Sequence, residues 1–261
     1  MKAIGKPMGV YVTLELPPLG EYAEVYGPGM ERAATELRAL LPPEGPVLVA
    51  GLGNDSMTPD ALGPRCCALV LATRHIAGEL AKSAGLGSLR PVMCLTPGVL
   101  GRTGMESAEL VAAAVRATEP AAVITVDALA ARKLSRLGCT IQLSDSGIVP
   151  GSGVGNARRE LSRGTLGVPV ISLGVPTVVD AATLVADLSE AAEPSAVNAA
   201  SAESATGAPG ESADSLEWAS MMVTPREVDL LIERAAKLCA MAINRALQPH
   251  LTIEDFLELV E

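Results

Sequence analysis

Aromatic residues are nearly missing from this chain: one Trp, three Tyr and one Phe, 2% of 261 residues. Its core must therefore be aliphatic and alanine-rich, and a base-stacking platform for single-stranded nucleic acid is disfavoured. Basic residues are also short, 20 against 30 acidic ones for a formal charge of −10. That balance repels phosphate backbones, so no direct nucleic-acid partner is expected, and a basic partner is the kind it steers inward. The two histidines, His75 and His250, and the lack of a Ser or Cys nucleophile elbow give little support to triads or HExxH metal sites. The cysteines, Cys66, Cys67, Cys94, Cys139 and Cys239, are odd in number and show no CxxC spacing. They read as reduced packing thiols rather than a zinc site, and neither metal nor cofactor is expected. No stretch offers 18 apolar residues free of Gly, Pro or charge, and MKAIGKPMGVYVTLELP lacks an unbroken signal-peptide core. A soluble, cytoplasmic protein with no membrane partner is the expectation.

What is present is an alternation. Apolar runs bounded by turn residues recur at VYVTLEL, VLVAGLGN, PVMCLTPG, AAVITVDAL, TIQLSDSG and VPVISLGVPT, with Ala/Leu/Glu-rich stretches between most of them. Runs apolar on both faces suit strands covered by helices on each side, so the predicted fold class is α/β, a three-layer sandwich around a mostly parallel sheet. Helix signals open at Thr58-Pro59 for a run to about Leu80 and at Thr103, with Glu106 three residues on, for a run to Arg116. A third follows Thr224-Pro225, for a C-terminal helix over about 224–246. Residues 189–215 carry five acids, no base and one large aliphatic side chain, which reads as a flexible insertion. One domain, 1–261, with that insertion, is the simplest organisation.

Ligands of open α/β sheets bind beyond the carboxyl ends of strands, near a change of strand order. Two carboxylates meet that description: Asp60 in GLGNDSMTPDALGP, placed in the first turn of the following helix, and Asp127, placed at the end of the strand in AAVITVDAL. Carboxyls at close range cannot both ionise cheaply, so a pair supplies a base for water and an acid for a leaving amine. The plainer alternative keeps Asp60 as a favourable first-turn anion and Asp127 as a strand-end acceptor. Gly51, Gly53 and Asn54 follow the same strand without a GxGxxG or a Walker lysine, which weakens a nucleotide reading. The segment with Asp145, Gly147, Gly151, Gly153, Gly155 and Asn156 offers backbone N–H groups for an anion or oxyanion, or is simply a long glycine loop. Arg102, Thr103, Glu106, Arg132 and Lys133 lie near strand ends, where they orient a peptide or serve as caps and solvated charge.

Several strings together resemble one family: GLGN with TPDALGP, TRH, LTPGVLGRTGMESAE, VDALAARKLSRLGCTIQLSDSGIVPGSGVGN, TLGVPVISLGVPTVVDA and VTPREVDLLIERAAKLCAMAINRAL. The likeness to the germination proteases of spore-forming bacteria covers most of the chain. It implies an endopeptidase that cleaves small acid-soluble spore proteins, an atypical aspartic mechanism, a fold related to hydrogenase-maturation proteases, and a homotetramer in the spore-core cytoplasm. The family's catalytic aspartates fall on Asp60 and Asp127. Asn54, Asp145, Gly151, Gly153 and Gly155 are expected substrate contacts from their place in the two glycine-bearing loops, not from the resemblance. Family members are zymogens with a longer N-terminal region carrying a propeptide, and this chain begins close to the segment matching IGKPMGVYVTLELP. Two alternatives stand beside it. A nickel-recognising maturation protease uses acids at the same positions but needs a third ligand, and no histidine follows Asp127 before His250. A non-catalytic homologue would hold a basic or spore-associated partner on its acidic surface.

Overall fold

The computed structural model describes residues 7–21, 24–76, 89–155, 158–192 and 221–260. Among them a seven-stranded sheet runs in the order β1-β5-β6-β4-β2-β3, with β7 paired to β6. Its strands are β1 (Tyr11–Glu15), β2 (Val47–Gly51), β3 (Val92–Leu95), β4 (Ala122–Ala131), β5 (Thr140–Ser144), β6 (Val170–Asp180) and β7 (Met222–Val223). β3, β2, β4 and β6 are parallel neighbours, whereas β5 and β7 run antiparallel to β6 and β1 antiparallel to β5. Five strands, β1 among them, thus point one way and two the other, so the sheet is mixed and mostly parallel.

The two-residue period of the strands sorts the core into two layers. Val47 and Val49 of β2 and Ala122, Ile124 and Val126 of β4 face one way, against helices α1 (Pro28–Leu40), α2 (Leu62–Leu69), α7 (Val228–Leu247) and α8 (Ile253–Val260). Leu48, Ala50 and Val123 face the other way, against Val111 and Val115 of α4 (Ser107–Thr118). The short helices α3 (Leu100–Thr103) and α5 (Arg163–Leu166), and α6 (Ala181–Ala192), complete the described elements. Burying aliphatic surface on both faces is the dominant favourable term, at roughly 25 cal/mol per Å².

The chain leaves β2 through α2 on one face to reach β3, then returns through α4 on the opposite face to β4, on the other side of β2. Strand order therefore changes sense between β2 and β4, and a crevice opens at their carboxyl ends.

Local differences from the sequence reading have physical causes. The helix expected from Thr58 to about Leu80 is a 3₁₀ turn, Thr58–Asp60, followed by α2, which stops at Leu69. Beyond it Leu71 N–H donates to Asn244 Oδ1 and Thr73 N–H to the Val92 carbonyl, so the backbone is claimed by α7 and β3. The helix expected at Thr103 begins at Ser107, because Glu109 rather than Glu106 closes the first turn, accepting from Glu106 N–H at 3.1 Å. The C-terminal helix begins at Val228 and ends at Leu247. Ser189 to Ala192, assigned to the insertion, continue α6. The rest of that segment, like Asn156, lies outside the described residues.

Candidate active site

Leu52 N–H donates to the Val126 carbonyl at 2.8 Å, so the loop leaving β2 starts out pinned to β4. The chain then doubles back: Gly53 has φ +112°, and a Cβ there would stand 2.1 Å from the Asp60 carbonyl oxygen. Only glycine fits, for reasons of both dihedral and space. Behind the loop, α2 approaches with a bare backbone. A Cβ on Gly63 would lie 2.2 Å from the Leu52 carbonyl oxygen and 2.5 Å from that of Val126. The 3₁₀ turn carries Asp60 across this junction, and Asn54 N–H donates to its Oδ2 at 2.8 Å.

Asp127 does not end its strand. β4 runs on to Ala131 because β6 stays paired with it, Asp127 opposite Gly174. The strand that ends there is β2, whose last residue Gly51 lies opposite Val126. Asp127 thus emerges where its neighbour stops, and it is buried at 7% exposure.

The two carboxyls have different electrostatics. Burial, and then the negative charge of Asp60, push Asp127 up to about 8, against a smaller opposing effect of the Ala128 N–H. Asp60, half-buried, is raised by desolvation and pulled back by the Asn54 N–H it accepts. At neutral pH Asp127 therefore keeps its proton. A pair whose environments split its two acids in this way has the chemistry of an acid and a base.

The other sequence candidates are placed differently. Asn54 is part of the site through its backbone, while its side-chain Oδ1 accepts from Ser56 N–H at 3.1 Å. Asp145 Oδ1 accepts from Val10 N–H at 2.7 Å, tying down the start of β1. Gly151 and Gly155, both at φ +71°, flank the 3₁₀ turn Ser152–Val154, whose Gly153 faces Ala130 of β4. Arg102 pairs with Asp55 and reaches Ser56 Oγ at 3.0 Å, joining α3 to the Asp60 loop at the surface. Arg132 and Lys133 are exposed, and both histidines lie in exposed turns. Cys66, Cys67 and Cys239 are buried, and all five cysteines are free. Among the described residues no group of three or more His, Cys, Asp or Glu is disposed to hold a metal, and no helix is long and apolar enough to cross a membrane.

Two features escaped the sequence reading. By strand alternation Leu129 shares a face with Asp127, and on that face a cleft of about 190 Å³ opens over β6, β5 and β1, lined by Leu129, Gly174, Ser172, Gln142, Thr13 and Arg136 among others. Thr177 of β6 reaches the Asp60 turn, its Oγ1 donating to the Pro59 carbonyl at 2.7 Å. Neither leaves a mark in a sequence, because both depend on which strands are neighbours.

Comparison with known proteins gives a consistent picture. A family model described as germination protease matches residues 1–191. The germination protease of Caldanaerobacter subterraneus subsp. tengcongensis is 42% identical over 275 residues, covering 99% of this chain and 84% of the relative. That of Clostridium perfringens is 41% identical over 272 residues, covering 97% and 82%. For Priestia megaterium the figures are 37% over 304 residues, 98% and 82%. Among solved structures, the [NiFe] hydrogenase maturation protease HycI of Thermococcus kodakarensis matches with a TM-score of 0.38 and 15% identity, over 80% of this chain and 98% of the other. So distant a likeness has no bearing on the chemistry.

Proposed function

From the premise that this chain belongs to the germination proteases, peptidases of family A25, we propose that it is an endopeptidase of small acid-soluble spore proteins, with Asp60 as base and Asp127 as acid. The observation that supports the mechanism is the split between the two carboxyls: Asp127 holds a proton up to about pH 8 beside an Asp60 whose carboxylate accepts a backbone N–H. In this reading Asp60 takes a proton from water as its oxygen adds to the scissile carbonyl carbon, and Asp127 donates its proton to the carbonyl oxygen. On collapse Asp60 passes its proton to the departing nitrogen, the C–N bond breaks, and Asp127 recovers a proton from the diol. The cleft beside Leu129 and Gly174 receives the substrate segment. A homotetramer in the spore-core cytoplasm accompanies this proposal.

The test is cleavage of a small acid-soluble spore protein at neutral pH, with fragments read by mass spectrometry. Asp60→Asn and Asp127→Asn are each expected to cost about a thousandfold or more in kcat while substrate still binds, and EDTA is expected to change nothing. Wild-type turnover in either variant overturns the assignment of that residue.

A further inference from the structure

The mechanism above uses two carboxyls, but only one of them sits in a sheet strand. Asp60 rides on a three-residue turn whose own hydrogen bonds, Asp60 N–H to Met57 O at 2.8 Å and Ala61 N–H to Thr58 O at 3.1 Å, shape the turn without attaching it to anything. The Asn54 contact comes from the same loop. Among the described residues one hydrogen bond ties residues 57–61 to the sheet, and it comes from Thr177.

Thr177 stands at an irregularity. Leu129 of β4 is opposite Pro176 of β6, yet the next residue, Ala130, is opposite Val178. Thr177 is the extra residue of a β-bulge, a device that re-aims a side chain and recurs beside active sites. It is fully buried, at 0% exposure, and its hydroxyl is spent on the carbonyl of Pro59, the residue immediately before Asp60. Most buried hydroxyls have a partner, and here the partner belongs to the turn that carries the proposed base. The preceding part of β6 pairs Gly174 with Asp127, so one strand meets both halves of the site.

We propose that Thr177 is a positioning residue, its hydroxyl fixing the Pro59–Asp60 turn over β6 and so setting the separation of Asp60 from Asp127. This rests on the two-carboxyl reading given above. The role needs a hydroxyl at that site and little else. Valine has nearly the same shape but leaves the Pro59 carbonyl unpaired, whereas serine keeps the donor and drops a methyl.

The experiment measures steady-state cleavage of a small acid-soluble spore protein by the full chain carrying Thr177→Val, Thr177→Ser, Asp60→Asn, or Thr177→Val with Asp60→Asn. Thr177→Val is expected to lower kcat by about tenfold or more with KM within about twofold, and Thr177→Ser to stay within about threefold of wild type. In the Asp60→Asn background Thr177→Val is expected to cost nothing further, because a residue acting through Asp60 has nothing left to position. If the valine variant does not fold, Thr177→Ala takes its place in the same cycle. The proposal is overturned by wild-type kcat in the hydroxyl-free variant, by equal losses in the valine and serine variants, or by losses that add to that of Asp60→Asn. Wild-type turnover in Asp60→Asn itself would overturn the carboxyl assignment instead, a separate and recognisable outcome.

Discussion

Asp127 and Asp60 serve one site from two unlike pieces of structure. Asp127 lies within a ten-residue strand, paired with β6 at its own position and with β2 up to the residue before it. Asp60 lies on a three-residue turn, half-buried and held by hydrogen bonds to its carboxylate and to its neighbour Pro59. The strand imposes burial and so a retained proton. The turn leaves its carboxyl nearer to water, with a backbone donor that favours the charged form. Two chemically identical side chains are thus set in different environments, and in the mechanism proposed above the strand holds the acid and the turn the base.

The largest effect that bears on this contrast is the double variant. If the two groups act as one unit, Asp60→Asn with Asp127→Asn is no slower than the worse of the single variants, each down about a thousandfold or more. Multiplied losses in the cleavage assay would mean that strand and turn act separately, and the contrast would lose its functional sense.

Next comes stability, where the two positions part company. A folded value of about 8 for Asp127 lies above the roughly 3.9 of an unfolded aspartate. Between those values the native state binds more protons than the unfolded one, so stability falls as pH rises through that window. A neutral asparagine is spared that loss. Asp127→Asn is therefore expected to gain on wild type in Tm as pH rises from about 4 to about 8 and then to level off, with at most about 1.4 kcal/mol per pK unit of separation. Asp60→Asn, at the less buried site, is expected to show a smaller gain. Thermal scans across pH decide it, and a gap that is constant with pH counts against the buried, protonated Asp127.

Much of this arrangement was legible in the residues. Every apolar run bounded by turn residues became a strand, β1 to β6 in order, because burial on both faces leaves an unmistakable composition. The two aspartates were located by the same logic. What the residues do not encode is adjacency. The antiparallel course of β5 and the two-residue β7 appear only once β6 is known to lie between β5 and β4. Asp127 was expected at the end of a strand, and the strand that ends there is its neighbour β2. Thr177 sits in VPTVVD, where Pro176 signals a break in the ladder, but which residue is extra and what it meets depend on the opposing register. Asp145 looked like part of a binding loop because the Val10 N–H it holds lies 135 positions away in the chain.

A smaller effect probes how the turn is seated. Gly63 gives α2 its close approach beneath the Asp60 loop, with space for no Cβ beside the Leu52 and Val126 carbonyls. Gly63→Ala forces helix and loop apart and is expected to destabilise by roughly 1–3 kcal/mol, seen as a lower denaturation midpoint, with kcat falling because the displaced loop carries Asp60. A wild-type midpoint would show that the junction yields more readily than this packing implies.

The smallest effect is expected where the turn meets solvent. Arg102 joins α3 to Asp55 and Ser56, and both charged side chains are more than half exposed, at 56% and 63%. Exposed pairs contribute about 1 kcal/mol or less, since water competes for both partners and two long side chains lose freedom. Arg102→Ala is accordingly expected to leave Tm within about two degrees and kcat within about twofold, by thermal scan and cleavage assay. A tenfold fall in kcat would mean that the Asp60 loop is held from outside, by the surface ion pair, and the difference between a strand-fixed acid and an internally seated base would have to be redrawn. A rise in KM alone would instead place Arg102 against the substrate and leave that difference intact.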